Sequence, residues 1–186
     1  MSKTFNKSIS SFVCSVFLVL ILISVVSASN PIASYDYLIG SGPIEEFGPV
    51  ISIAPNGDTI ELKGQGSFST KPKTITGNGT FIHRDFEGNI LGTGKWVATK
   101  LISFKPYGNG IPQGLPEEFE GGRALVKVIL DPDNIGPSFD GTLTITCILG
   151  DKIPLKAKEG IRLAVREIPV NFREESSGAT LFIRTA

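Results

Sequence analysis

The 186-residue sequence is poor in the side chains that build metal sites and disulfide frameworks, with two Cys, one His and one Met. A structural zinc site needs four Cys or His ligands, so zinc fingers and zinc ribbons are excluded. Cys14 lies in the first 28 residues and Cys147 in the remainder, so residues 29–186 cannot form an internal disulfide. Their stability must come from a hydrophobic core, for which this length is sufficient.

The sequence also lacks an excess of charge of either sign. The chain has 18 basic and 18 acidic residues and no formal net charge. Proteins that bind nucleic acid carry a basic footprint, so this class of partner is excluded.

Sequence motifs for cofactors and nucleophiles are absent as well. No Gly-x-Gly is followed by a third Gly three residues later, as a dinucleotide-binding turn requires. No phosphate-binding loop and no Gly-x-Ser-x-Gly elbow occurs. We therefore predict neither a cofactor nor a resident metal.

The first 28 residues differ from the rest of the chain. Lys3 and Lys7 are followed by an uncharged apolar block, residues 12–26, and then by the small residues Ser27 and Ala28. A basic start, an apolar middle and a small-residue end are typical of a secretory signal peptide, here with cleavage after Ala28. The alternative is an uncleaved signal anchor through residues 12–28, which would be the protein's only contact with a membrane. Both interpretations place residues 29–186 outside the cytoplasm, either secreted or anchored at the membrane.

Residues 29–186 are predicted to form a single all-β domain. Leu143, Ile145 and Cys147 alternate with Thr residues, which predicts a strand with these three side chains in the core. Residues 161–165 and 124–130 also place apolar side chains at every second position, and residues 95–104 form a further long strand candidate. No window of a dozen residues keeps a helical apolar period free of Gly and Pro. The fold class is therefore an antiparallel β-barrel or, as the alternative, a β-sandwich.

Turns are predicted from Gly, Asn, Asp and Pro. Hairpins are expected at Pro55–Asp58, where Asn-Gly suits central positions with positive φ, and at Phe86–Asn89. Residues 112–122 and 131–140 are predicted as longer loops. The Gly-x-Gly pairs are interpreted as turns too, because Gly adopts positive φ at little cost; they occur at 40–42, 64–66, 77–79, 92–94 and 108–110.

Candidate functional residues are few. His83 is the one side chain that ordinarily titrates near neutral pH, and on an extended strand it shares a face with Asp85, which could orient it as a general base. The simpler interpretation is a histidine at the rim of a turn. Asn78-Gly-Thr80 matches the acceptor pattern for N-glycosylation.

Two clusters of acidic residues are weaker candidates for a functional site. Asp131, Asp133 and Asp140 would suit a loose calcium site, but Ile135 and Thr142 occupy positions where an EF-hand needs oxygen ligands. We therefore interpret them as turn residues. The acids Glu117, Glu118 and Glu120 are interpreted as a solvated loop.

Three functional interpretations are consistent with these patterns. The first, which we favour, is an exported, non-catalytic module that binds a protein or a small apolar ligand. The second is a secreted β-barrel enzyme of the cyclase or isomerase kind, similar to dirigent proteins and allene oxide cyclases in architecture and length, with no motif of either family. The third is a structural protein of a cell surface or envelope. A cavity with His83 facing inward would favour the second, and a solid core with an exposed apolar patch the first.

Overall fold

The computed structural model describes residues 33–133, 136–166, 168 and 170–186, and within them most of the chain is antiparallel strand. The all-β prediction is confirmed for these residues. The segment predicted as a signal peptide, with its cleavage site at Ala28, lies outside them. Among the described residues there are eleven strands and two short 3₁₀ helices, Gly42–Phe47 and Ile111–Gln113. The strands are β1 (Ser34–Ile39), β2 (Val50–Ile53), β3 (Thr59–Thr70), β4 (Lys73–Arg84), β5 (Ile90–Asn109), β6 (Phe119–Pro132), β7 (Phe139–Cys147), β8 (Gly160–Val165), β9 (Asn171–Phe172), β10 (Glu174–Ser177) and β11 (Thr180–Arg184).

The strand pairings form a circuit. From β3 they run through β4, β5, β6, β11 and β1 and return to β3. The edge of β3 that does not face β4 is shared, because β1 pairs with its second half and β2 with its first half. In the same way, β6 pairs with β11 at its start and with β7 beyond it. The shorter strands therefore lie along the outer edges of β3 and β6, and the long strands β4 and β5 lie between these two.

No helix among the described residues has the length and hydrophobicity needed to cross a membrane.

The core contains a cluster of aromatic rings where β1, β3, β5 and β11 meet. Tyr35 stacks on Phe68 with 5.1 Å between ring centroids, and Phe104 lies 4.9 Å from Phe68 and 5.0 Å from Phe182. Such tilted and edge-on contacts stabilise more than the buried area alone. Aliphatic side chains of β6, β7 and β8 extend the same core.

Both predicted hairpins are present, with one correction. The N–H of Gly57 donates to the carbonyl of Ala54, so Pro55 and Asn56 are the central residues and Gly57, with φ of 89°, follows them. Pro at the first central position and Gly after the central pair favour this turn, whereas the sequence had suggested Asn-Gly at its centre. The second hairpin turns at Asp85–Gly88, where the N–H of Gly88 donates to the carbonyl of Asp85.

The interpretation of every Gly-x-Gly as a turn is wrong. The pairs at 64–66 and 77–79 lie in the middle of β3 and β4, directly opposite each other in register. There they leave room for aromatic rings, because Cβ atoms at Gly64 and Gly79 would collide with Trp96. Gly92-x-Gly94 likewise lies within β5, and only the pair at 40–42 sits wholly in a turn after a strand. Glycine inside a strand often marks such a close approach.

The loop predicted for residues 112–122 is shorter than expected. The 3₁₀ helix of Ile111–Gln113 opens it, and β6 already begins at Phe119, because Phe119 and Glu120 pair with β11. The loop at 131–140 is shorter too, since β6 continues through Pro132 and β7 begins at Phe139. Pairing with a distant strand overrides the local turn signals at both places.

The predicted faces of β7 are largely confirmed. Leu143, Ile145 and Cys147 are buried as period two requires, and the strand at 161–165 alternates as predicted. Thr146, expected on the solvent side, is buried as well, and its carbonyl accepts a hydrogen bond from the hydroxyl of Thr180. The end of β7 is thus covered on both faces.

The thiol of Cys147 should be inert in the native protein. Burial raises its pKa above the usual range, so little of the reactive thiolate forms. In the protein cleaved after Ala28, which retains Cys147 but not Cys14, we expect a thiol reagent to label the native form about a hundredfold more slowly than the denatured form, where one reactive thiol should appear. Fast labelling of the native protein, or a dimer on a non-reducing gel that disappears when reductant is added, would mean that this strand face is exposed in solution.

Candidate functional site

An apolar pocket of about 390 Å³ lies beside the β2–β3 and β4–β5 hairpins. Strands β3 to β6 and β8 supply most of its wall, and the segment around β9 completes it. Among its described lining side chains only His83 is polar. The pocket is lined by Ile60, Phe81, His83, Leu91, Gly92, Leu130, Pro132, Phe139, Leu163, Val165, Ile168, Val170 and Phe172.

Strand geometry explains why His83 lines this pocket. Phe81 and His83 are two residues apart on β4 and therefore project from the same face, as predicted. His83 lies opposite Ile60 of β3 and Gly92 of β5. Because directly opposed residues share a face, all three positions belong to the same wall.

The imidazole is held by a carboxylate and an aromatic ring. Nε2 of His83 lies 3.2 Å from Oδ2 of Asp58, with the two side chains 20% and 10% exposed. Asp58 is the residue before β3, and its carbonyl accepts a hydrogen bond from the N–H of Ala54, which closes the hairpin. The ring of Phe172 meets the imidazole edge-on at 5.4 Å. Both neighbours restrict the ring's orientation.

Asp85, the partner proposed from the sequence, does not approach His83. Its carboxylate accepts the backbone N–H groups of Glu87 and Asn89 and the side-chain amide of Asn89. These hydrogen bonds, chiefly that of the Asn89 amide, lower the pKa of Asp85. Strand β4 ends at Arg84, and the pairing with β5 shifts register just after His83. The period-two argument therefore fails one residue before Asp85.

Asp58 was missed because its contact with His83 spans 25 positions of the chain. The sequence signal that exists is the pair of predicted hairpins at 55–58 and 86–89. Strands flanking two such turns can align, and an aligned register brings residue 58 beside residue 83. The pairing of β3 with β4, and its register, are given only by the tertiary structure.

Asn78, the glycosylation candidate, is exposed, but it lies within β4 and not at a turn. Its backbone pairs with Gln65 on one side and Val97 on the other. Glycosylation at this position stays a prediction.

The acids Glu117, Glu118 and Glu120 line a second, open and polar pocket of about 590 Å³ that also includes Arg184. The interpretation as a solvated loop is wrong for Glu120, which is buried at the start of β6. Burial raises the pKa of Glu120, while a hydrogen bond from Tyr35 and the charge of Arg184 oppose the rise. Burial and Glu120 together raise the pKa of Tyr35 to about 12. This pair joins β1 to β6, and its Glu120 lines the open pocket.

The aspartates of the β6–β7 region serve local hydrogen bonds. The hydroxyl of Thr93 donates to Asp133 at 2.7 Å, and that of Ser138 donates to Asp131 at 3.1 Å. Within residues 33–133, 136–166, 168 and 170–186, no group of three His, Cys, Asp or Glu side chains is arranged to hold a metal ion.

Comparison of the chain with known protein families, with curated proteins and with solved structures finds no match.

Proposed function

We propose that the domain is an exported, non-catalytic module that binds a small apolar ligand in the apolar pocket. The observation that carries the proposal is the composition of that pocket, in which His83 is the one polar side chain among the described lining residues. Ligand sites are typically concave, mostly apolar and equipped with a few fixed polar groups. A volume of about 390 Å³ falls at the lower end of the range for such sites, which suits a small molecule.

The rim of the pocket supports the same proposal. Leu91 of the β4–β5 hairpin is 57% exposed and is part of the pocket wall, and Phe86 of the same hairpin is 73% exposed. Exposed apolar side chains grouped beside a pocket are a recognised sign of a binding surface. An apolar ligand would cover part of them.

We further propose that the circuit of paired strands is a closed β-barrel and that the apolar pocket is carried by its long strands. Support comes from the return of the pairings to β3, which leaves the strands of the circuit without a free edge on that path. Export of the domain rests on the basic and apolar pattern of residues 1–28 and is part of the proposal.

Filling the apolar pocket should abolish binding. Gly92 is suited to this test because a Cβ added there meets no atom within 4 Å, and its position opposite His83 directs a side chain into the pocket. With the neutral fluorescent probe N-phenyl-1-naphthylamine, we expect saturable binding to the wild type and at least about tenfold weaker binding to Gly92→Leu. Fluorescence titration of the purified exported protein measures both.

The matched control is Gly136→Leu, which adds the same side chain at another open glycine outside the pocket. It should bind the probe as the wild type does. A wild type that does not bind, or equal binding by Gly92→Leu, contradicts the proposal.

Catalysis in the same pocket is the second candidate, and the observation in its favour is the contact of His83 with Asp58. A carboxylate that orients an imidazole is the arrangement of a general base. Hydrolysis of 2-naphthyl acetate above the rate of the His83→Phe variant would favour catalysis over binding alone.

A further inference from the structure

We infer that the ligand of the apolar pocket carries a hydrogen-bond donor, a hydroxyl or an N–H group, that binds Nδ1 of His83. This inference rests on the proposed function and assigns the ligand's chemical class: an apolar alcohol, a phenol or an aromatic amine that is uncharged at neutral pH.

The first step is the tautomer of the imidazole. Nε2 lies at hydrogen-bond distance from Oδ2 of Asp58. An ionised carboxylate only accepts hydrogen bonds, so the proton of a neutral ring resides on Nε2. The other nitrogen, Nδ1, then carries a lone pair and acts as an acceptor.

The second step is the accessibility of Nδ1. Among the described residues, the imidazole makes its one hydrogen bond through Nε2. Every buried side-chain nitrogen and oxygen in the described part of the chain has a hydrogen-bond partner. Nδ1 is therefore not fully buried. Because His83 is one of the residues that line the apolar pocket, the inference places this nitrogen on the pocket side of the ring.

The third step is the choice of partner. The described lining side chains other than His83 are apolar and offer nothing that compensates a charge. A carboxylate ligand would lie in this apolar surrounding close to the carboxylate of Asp58, where desolvation and repulsion both oppose it. A ligand that has only hydrogen-bond acceptors would form no hydrogen bond with Nδ1, because both groups would present lone pairs. A neutral donor satisfies the nitrogen without either cost.

The test compares 2-naphthol with 2-methoxynaphthalene, in which a methyl group replaces the hydroxyl hydrogen and removes the donor, on the exported protein at pH 7.5 by isothermal titration calorimetry. We expect the wild type to bind 2-naphthol about tenfold more tightly, the usual value of one hydrogen bond. In His83→Phe, which keeps a flat ring against Phe172, the ratio of the two affinities should fall to about one. Should this variant not fold, His83→Leu, which also lacks a hydrogen-bond acceptor, takes its place.

Each result separates the inference from the proposed function. If both ligands bind equally to the wild type and both lose binding in Gly92→Leu, the inference about a ligand donor is wrong, whereas the proposed binding in the apolar pocket is supported. A preference for 2-naphthol that survives in His83→Phe also overturns the assignment, because the donor then binds elsewhere. Binding of neither ligand, nor of N-phenyl-1-naphthylamine, overturns the proposed function together with the inference.

Discussion

Replacing Gly79 with alanine is expected to lower the free energy of unfolding by about 3 kcal/mol, because it forces apart groups that pack in direct contact. A Cβ at this position would lie 2.6 Å from Nε1 of Trp96, which is fully buried and donates to the carbonyl of Lys63. The carbonyl oxygen of Lys63, which accepts this hydrogen bond, would lie closer still to the added Cβ. The indole must therefore move, and both its packing and its hydrogen bond are disturbed.

Urea unfolding followed by fluorescence measures this effect, and Trp96 is the chain's one Trp, so its emission reports on the perturbed site itself. The control is Gly92→Ala, also within a strand, where the added methyl group meets nothing within 4 Å. It should change stability by less than about 1 kcal/mol, with either sign. Equal losses in the two variants would mean that the paired glycines do not serve the approach of the ring.

Truncation of Phe182 to alanine is expected to cost about 4 kcal/mol, the range found when a buried aromatic side chain is removed. Phe182 is 0% exposed and meets Phe68 and Phe104 edge-on, at 5.9 and 5.0 Å between centroids. Its removal leaves a cavity between β11 and the long strands, which the remaining rings cannot fill without leaving their own contacts. Phe182→Leu, which retains most of the volume, should cost less than half as much.

Phe86→Ala provides the comparison for this truncation, because the same atoms are removed from a ring that is 73% exposed. We expect a change within about 0.5 kcal/mol. Urea midpoints at an unchanged slope give both values. A small loss in Phe182→Ala would indicate that the aromatic cluster contributes little to stability.

The local sequence pattern was sufficient to predict features that depend on a single strand or a single turn. The alternation from Leu143 to Cys147 predicted the buried face of β7, and the turn residues at 55–58 and 86–89 predicted both hairpins. The all-β class followed from the same evidence. These features depend on interactions within a few residues, namely the two-residue period of a strand and the backbone preferences of Gly, Asn and Pro.

The pocket was predicted only in part. His83 was identified because it is the chain's one imidazole, and its face was correct. Its carboxylate partner was not, since Asp58 reaches it through the register of β3 with β4, whereas Asp85 is drawn into its own turn.

The sequence alone thus determined the strand character, the apolar face of β7 and the two predicted hairpins, because each depends on neighbours along the chain. The tertiary structure decided which strands pair, why glycines at 64 and 79 face each other beneath Trp96, and why Glu120 is buried beside Tyr35. Those outcomes depend on contacts between residues far apart in the chain. The free energy of such contacts comes from packing and desolvation, and neither leaves a periodic signal in the sequence.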